Sequence, residues 1–379
     1  MLRLRHLKDI YVMSFILLGW SLVPAHGLAN MNLDVKGDLM TSYDDNINSD
    51  HENEKEDIVT NLVLGLGLNQ KGKTYLLHVE GDVTQEIFAE YEDFNNTEQD
   101  FSVDFSKDVS KHEKLEISND FLHARRPRTF DDDFGRTSGQ YSSYRNKFDV
   151  MYSKKITEKY GFKGGYDNEV YEVSREDMSD SLMNRMTLEM DYIRGSLSEL
   201  FSKYVFSVRD YELGQEFFIH TLAGGIRQYL SKQLLLEASA GGAFIDGISM
   251  EDHSRVRPDF RVSLSDHIDD NTTLSFIYRK ESRAKGYKAD IFDSWQLDAK
   301  VEREINARVD LTLSGFYGEG EYWTDDTRDD YLGAGGEVGY RLNSHTKTFL
   351  SYKHTMNDSN DRTREYDRNV VSTGIKILF

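Results

Sequence analysis

Apolar residues recur at every second position in segment after segment of this chain, the period of a strand with one greasy and one polar face. Leu33, Val35, Gly37, Leu39, Thr41 and Tyr43 alternate with Asp34, Lys36, Asp38 and Ser42. Ile58, Thr60, Leu62, Leu64, Leu66 and Leu68 form the next such face, and Tyr75, Leu77, Val79, Gly81 and Val83 oppose His78, Glu80 and Asp82. The same alternation returns at Phe148–Tyr152, at Met186–Tyr192 and at Trp295–Val301. No run after residue 29 is long and apolar enough for a spanning helix. About eighteen such segments can be counted, with sixteen as the alternative, each near the ~10 residues that a tilted membrane-spanning strand needs.

The connections sort into two alternating kinds. Long acidic ones are expected at 44–57, 90–98, 125–139, 172–180, 246–253, 321–330 and 357–364. Short links fall near 69–72, 109–113, 156–159, 231–233, 268–271, 305–308 and 343–346. A closed up-and-down barrel has short turns at one end and longer loops at the other, and an even strand count puts both chain ends on the short-turn side. Several short links share an apolar residue followed by Ser, Thr or Asn inside a charged turn, which reads as repeated use of one turn chemistry. A soluble sandwich rarely reaches eighteen strands, and a propeller would show a four-strand period. Pro258 interrupts one periodic run, so that strand is expected to begin at or after it, or to bulge there.

The last segment places Val371, Thr373, Ile375, Ile377 and the terminal Phe379 on one face. A terminal aromatic behind alternating apolar residues resembles the signal that presents outer-membrane barrels to their assembly machinery. Val371, Ile375, Ile377 and Phe379 are therefore the candidate assembly signal. The expected fold is all-β, a closed antiparallel up-and-down transmembrane barrel with short periplasmic turns and longer acidic extracellular loops.

Composition supports this. Mean hydropathy is −0.62 with 30% charged residues, yet the chain holds 22 Tyr and 21 Phe, too many for a disordered protein. Arg3, Arg5 and Lys8 precede an apolar stretch from Ile10 to Val23, closed by Ala25, Gly27 and Ala29, which reads as a cleaved secretory signal over 1–29 with the barrel over 30–379. With no cysteine, thiol catalysis, thiolate metal sites and lipoprotein anchoring are excluded. Net charge is −20, and residues 30–379 keep 43 basic against 65 acidic residues, so nucleic acid is not an expected partner.

Leu39-Met-Thr-Ser-Tyr-Asp-Asp-Asn-Ile (39–47), followed by Asp57-Ile-Val-Thr-Asn-Leu-Val-Leu-Gly-Leu (57–66), resembles the opening of the putative β-barrel porin 2 family. The resemblance covers these ~30 residues in motif and the rest only in architecture. It implies an outer-membrane location and, through the family's frequent link to exopolysaccharide secretion, the outer-membrane part of an exopolysaccharide export or biosynthesis system. The alternatives are a general diffusion porin for small polar solutes and a non-conducting structural or adhesive surface barrel. The family supplies no catalytic motif.

Opposite the apolar faces lie Arg145, Lys147, Asp149, Arg185, Glu189, Arg209, Arg257, Asp259, Arg261, Lys300 and Glu302. Charge facing hydrocarbon at mid-depth costs ~2–4 kcal/mol, so these residues are expected to line the lumen, open or plugged. Arg125, Arg126 and Arg128 followed by Asp131, Asp132 and Asp133 form one sharply bipolar loop, either a constriction inside the pore or a surface loop of paired charges. Asp44, Asn46, Asn48 and Asp50 have calcium-loop spacing, but Ser49 stands where Gly is needed and Lys55 where the closing Glu is needed, which leaves a solvated acidic loop. No HExxH or GxSxG occurs, and His78, His220 and His354 have no nucleophile marked beside them, so neither enzyme, cofactor nor metal is expected. Outer-membrane lipid, lipopolysaccharide and the barrel assembly machinery are the expected partners, with polysaccharide and an export complex as further candidates. Tyr43, Tyr75, Tyr91, Tyr152, Tyr166, Tyr192, Tyr204 and Tyr317 are expected in the interfacial girdles.

Overall fold

In the computed structural model, residues 31–125, 141–175, 178–212, 214–248, 254–285, 288–324 and 326–379 are described. They form eighteen strands: β1 (Met31–Asp44), β2 (Asp57–Lys71), β3 (Tyr75–Phe88), β4 (Asn96–Ser110), β5 (Glu113–Ala124), β6 (Ser143–Lys155), β7 (Tyr160–Val173), β8 (Ser181–Gly195), β9 (Ser198–Tyr211), β10 (Glu216–Tyr229), β11 (Leu234–Ile248), β12 (Arg255–Asp269), β13 (Thr272–Ala284), β14 (Ile291–Asn306), β15 (Val309–Tyr322), β16 (Arg328–Arg341), β17 (Thr346–Ser359) and β18 (Tyr366–Leu378). Each pairs antiparallel with its sequence neighbours, and β1 closes the ring on β18. The barrel of eighteen strands is thus the observed fold.

The strands run 12 to 16 residues, longer than the expected ten, so several stretches read as loop are strand. Glu98 lies in β4, Glu172 in β7, Asp329 and Asp330 in β16, and Asn357 in β17. An acidic run in a barrel can be a strand whose polar face points at water, which a loop reading built on charge alone misses.

One parity of each strand carries aliphatic and aromatic side chains into the surroundings. Leu64 is 74% exposed, and Leu33, Leu222 and Leu350 are likewise bare. A continuous apolar band of this kind is not stable in water and fits a lipid contact. Tyr43, Tyr166 and Tyr317 stand on this outward parity, as do Tyr75, Tyr152, Tyr192 and Tyr204. Tyr91 does not lie on a strand but in the β3–β4 connection, with the Lys55 ammonium 5.0 Å from its ring centre.

The short turns share a mechanism. Ser110, Thr157, Ser231, Asp269, Asn306 and Asn343 each accept, through the side chain, the N–H two residues ahead. This is the local Asx or Ser/Thr turn that those residue types favour. The apolar residue just before, Val109, Ile156, Leu230, Ile268, Ile305 or Leu342, is more than half exposed at the rim. Turn chemistry, not an internal repeat of function, explains the resemblance among these links.

At the seam, Val371, Ile375 and Ile377 oppose Tyr43, Leu39 and Gly37 on the outward face. Phe379 continues the ladder by exchanging both backbone hydrogen bonds with Val35, each 2.9 Å. The far end of the seam is clamped by the corner after β1. Arg368 donates to Asp44 from Nε at 3.1 Å and from Nη2 at 2.8 Å. Asp45 accepts from the Asn369 backbone N–H (2.6 Å) and amide (2.8 Å), and Asn46 donates to the Asp367 carbonyl at 2.8 Å. Ile47 is fully buried against Val59 and Phe88. Residues 43–47 therefore fasten the first strand to the last. Asn48 spends its side chain on its own loop, at Asn53 and Lys55, Asn46 divides its side chain between Asp50 and Asp367, and no metal-ligand cluster occurs among the described residues.

Candidate functional site: the lumen and its inward hairpin

The ladder between β12 and β13 stops at Phe260 opposite Lys280. Beyond it, Arg255–Asp259 pair only with β11, and Glu281–Ala284 only with β14. Pro258 sits in this half of β12, within the strand and not at its start, where no β13 partner calls for its missing N–H.

The freed tip of β13 and β14 turns into the barrel. Ile291, fully buried, packs on Tyr211, Phe217 and Ile219 of β9–β10 and on Ala243 and Ile245 of β11, all inward-facing. Tyr211 donates its hydroxyl to the Lys285 carbonyl at 2.5 Å. Toward the opposite wall, the Lys288 ammonium lies 3.9 Å from the Tyr322 ring centre, and Lys285 lies 4.3 Å from that of Phe292. Phe292 belongs to a second buried cluster with Phe316, Tyr322, Tyr331 and Tyr366 of β15, β16 and β18. Gly320 and Gly333 make room there: a Cβ at either would sit 2.1–2.2 Å from the ring of Phe292 or Phe316. Burial, with Arg283 and Arg364 close by, pushes the Lys285 amine well below its usual value.

Two buried acids hold the tip. Asp290 accepts from the N–H groups of Ile291 (2.7 Å), Trp323 (3.3 Å) and Thr324 (3.2 Å), and from the Thr324 hydroxyl. Asp293 takes Lys280 at 2.8 Å and the Ser282 hydroxyl at 3.0 Å, with Arg257 at 3.6 Å. Behind the tip, Arg364 is 1% exposed and donates to Asp329 and the Tyr322 hydroxyl.

What remains open beside the tip is a cavity of about 620 Å³ between β5–β12 and the inner edge of β13. Its wall includes Arg145, Arg185, Arg209, Asp259 and Arg261. Arg209 binds Glu169 at 2.5 Å and the Ser181 hydroxyl at 2.8 Å, and Arg185 lies 3.4 Å from Asp167. Lys147 and Asp149 continue the inward face of β6 opposite Glu169 and Asp167. Toward the short-turn end, Arg227 gathers Glu189 (2.8 Å), Asp191 (3.1 Å), Glu199 (2.5 Å) and Glu237 (2.9 Å), while Lys163 adds a 2.7 Å bond to Glu189. Lys300 and Glu302 pair with each other at 2.7 Å on the inward parity of β14, away from this cavity. Across the barrel, the inward faces of β3–β5 carry Glu80, Asp82, Asp100, Asp104, Glu116 and Asp120. The lumen is thus electrically divided, acidic on one wall and predominantly basic on the other.

Of the bipolar loop, Arg125 is described and donates to the Asp93 and Asn95 carbonyls at 3.0 and 3.3 Å. Arg126, Arg128, Asp131, Asp132 and Asp133 lie outside the described residues. Among the described residues the β13–β14 tip is an inward element, which alternation does not mark because its lumen-facing and wall-facing residues are both buried. His78 bonds Asn69 at 2.7 Å, His220 bonds Tyr204 at 2.8 Å and His354 bonds Asn369 at 3.0 Å.

Solved barrels resemble this one. The FrpB iron transporter from Neisseria meningitidis (F5-1 variant) superposes with a TM-score of 0.51 at 7% identity over 93% of this chain and 83% of its own. The F3-3 variant gives 0.50 at 8% identity over 92% and 67%. Pseudomonas aeruginosa OccK2 (OpdF) in complex with glucuronate gives 0.49 at 11% identity over 93% and 99%. At these identities the FrpB likeness is one of fold, that of an outer-membrane β-barrel. No curated protein matches the sequence. The segment that matches a family is not the opening corner but the other end of the chain: residues 270–379, β13 to β18 with the inward tip, match the family described as Putative beta-barrel porin 2.

Proposed function

We propose that this protein is a passive outer-membrane channel, made with a leader over 1–29, whose polar solutes cross beside the β13–β14 tip. The observation that carries this reading is the cavity of about 620 Å³ kept open inside the barrel and lined by guanidinium, ammonium, hydroxyl and aromatic groups. Its size is that of a site for a small solute or a few sugar units. Phe201, Tyr141 and Tyr171 border the cavity among the charges, and aromatic groups beside polar ones suit the two-sided surface of a sugar.

Its physiological setting, in this proposal, is the outer-membrane step of exopolysaccharide export. The family resemblance supports that setting, with lipopolysaccharide, lipid, the assembly machinery and an export complex as partners. The narrow cavity favours a second setting, diffusion of small solutes. Sugar efflux from vesicles containing the purified barrel tests the channel, and a folded barrel that releases no sugar refutes it. Loss of the gene with undiminished extracellular polysaccharide refutes the export setting and leaves the channel standing.

A further inference from the structure

The chain is acidic overall, with net charge −20, yet its cavity is not. Among the described lining residues, eight Arg and Lys side chains besides the buried Lys285 are cationic and four are acidic. Surface repulsion alone would have placed the positive charges anywhere, whereas here they converge on one concave wall of β6–β13.

Two placements are costly without an anion. Arg261 and Arg279 stand directly opposite each other on β12 and β13, and like charges in that position destabilise a sheet. Arg279 has Asp298 3.7 Å away, while Arg261 and Lys203 have no carboxylate within 4 Å among the described residues. On the acidic wall the comparable pair, Asp82 opposite Asp100, is relieved by the Lys36 ammonium 2.6 Å from Asp82. On the basic wall a single carboxylate, Asp259 on the same face of β12, is shared electrostatically between Arg261 and Lys203, so two cations face one acid.

From this we infer that the cavity is a site for carboxylate-bearing saccharides and makes the channel anion-selective. The inference rests on the channel reading and names its solute class. A planar carboxylate matches the fork of a guanidinium, and a second cation on the facing strand would take its other oxygen. Phe201, with the Arg227 guanidinium 4.3 Å from its ring centre, borders the same cavity, so that the ring of a sugar acid meets its uncovered edge while its charge meets Arg261 and Lys203. A neutral sugar gains only the ring contact.

The test uses the full chain in planar bilayers and in detergent. Under a potassium chloride gradient, the reversal potential should have the sign of chloride preference and should change sign in the Lys203→Glu/Arg261→Glu variant. Trigalacturonate should bind the detergent-solubilised barrel more tightly than maltotriose, and the variant should lose that difference. Cation preference in the native protein, or equal binding of the two sugars, overturns the inference. A folded barrel that carries no current but still discriminates trigalacturonate would refute the channel reading and uphold the site.

Discussion

Replacing Arg368 by Leu strikes the clamp that joins the last strand to the first. Arg368 is 11% exposed and its partner Asp44 2%, and the guanidinium makes two bonds to that carboxylate, at 3.1 and 2.8 Å. After the substitution Asp44 keeps the Asn46 N–H at 3.2 Å but loses the bonds from the Arg368 guanidinium while remaining buried. Removing one partner of a buried ion pair costs about 3–5 kcal/mol, against less than ~1 kcal/mol for an exposed pair. The loss should approach the lower figure, because this pair sits at the rim, where water enters when the seam loosens. Urea unfolding of the barrel in lipid vesicles, followed by its tryptophan fluorescence, should show a loss of about 3 kcal/mol. The double variant Asp44→Leu/Arg368→Leu should lose less than the single, since the buried carboxylate is then gone as well. Amide exchange should accelerate first along β1 and β18. A single variant within ~0.5 kcal/mol of the native barrel would refute the clamp, as that is the effect of a surface change.

Three further perturbations have definite outcomes. Deleting Phe379 removes two backbone bonds at the seam and should lower the amount of heat-modifiable barrel in outer membranes while leaving synthesis intact; unchanged barrel levels would contradict a role in assembly. Asp290→Ala strands the N–H groups of Trp323 and Thr324, at about 1–3 kcal/mol, and should open the tip to proteolysis near residue 285; equal resistance would contradict its role as the tip's fastener. The amine of Lys285 is held low in the folded state, so unfolding takes up a proton, and stability should rise with pH until its unfolded value near 10.5 is reached. Lys285→Met should remove that part of the pH slope between neutral pH and pH 10, and an identical slope in the two proteins would show that Lys285 is charged in place.

The barrel was legible because its strands each pay for lipid contact with one apolar face, and eighteen such faces can be counted. Strand ends were less legible: Glu98, Asp329 and Asn357 are polar, point into the barrel and look like loop residues in the sequence. The corner at 43–47 drew attention as a family mark, and its physical reason, a lock reaching residues 367–369, joins chain ends more than 320 residues apart and leaves no local trace. The inward tip was invisible for a related reason. Connection 285–290 looks like any other short polar stretch, and Ile291 is one aliphatic residue at a strand start until the opposite wall is known. Parity did place Arg145, Arg185, Arg209 and Arg261 inside, but not which of them meet, since that depends on the β12–β13 split.

The most direct test of the account is the current through single barrels when the tip is shortened. Replacing residues 284–291 by a two-residue turn removes the tip packed between β9–β11 and β15–β18, trims β13 and β14 by one residue each and leaves the other strands of the wall in place. The native protein should pass a small, steady, chloride-preferring current, and the shortened one a distinctly larger current with weaker preference. Equal conductance in both, or silence in both despite correct folding, would mean that solutes do not pass beside the β13–β14 tip.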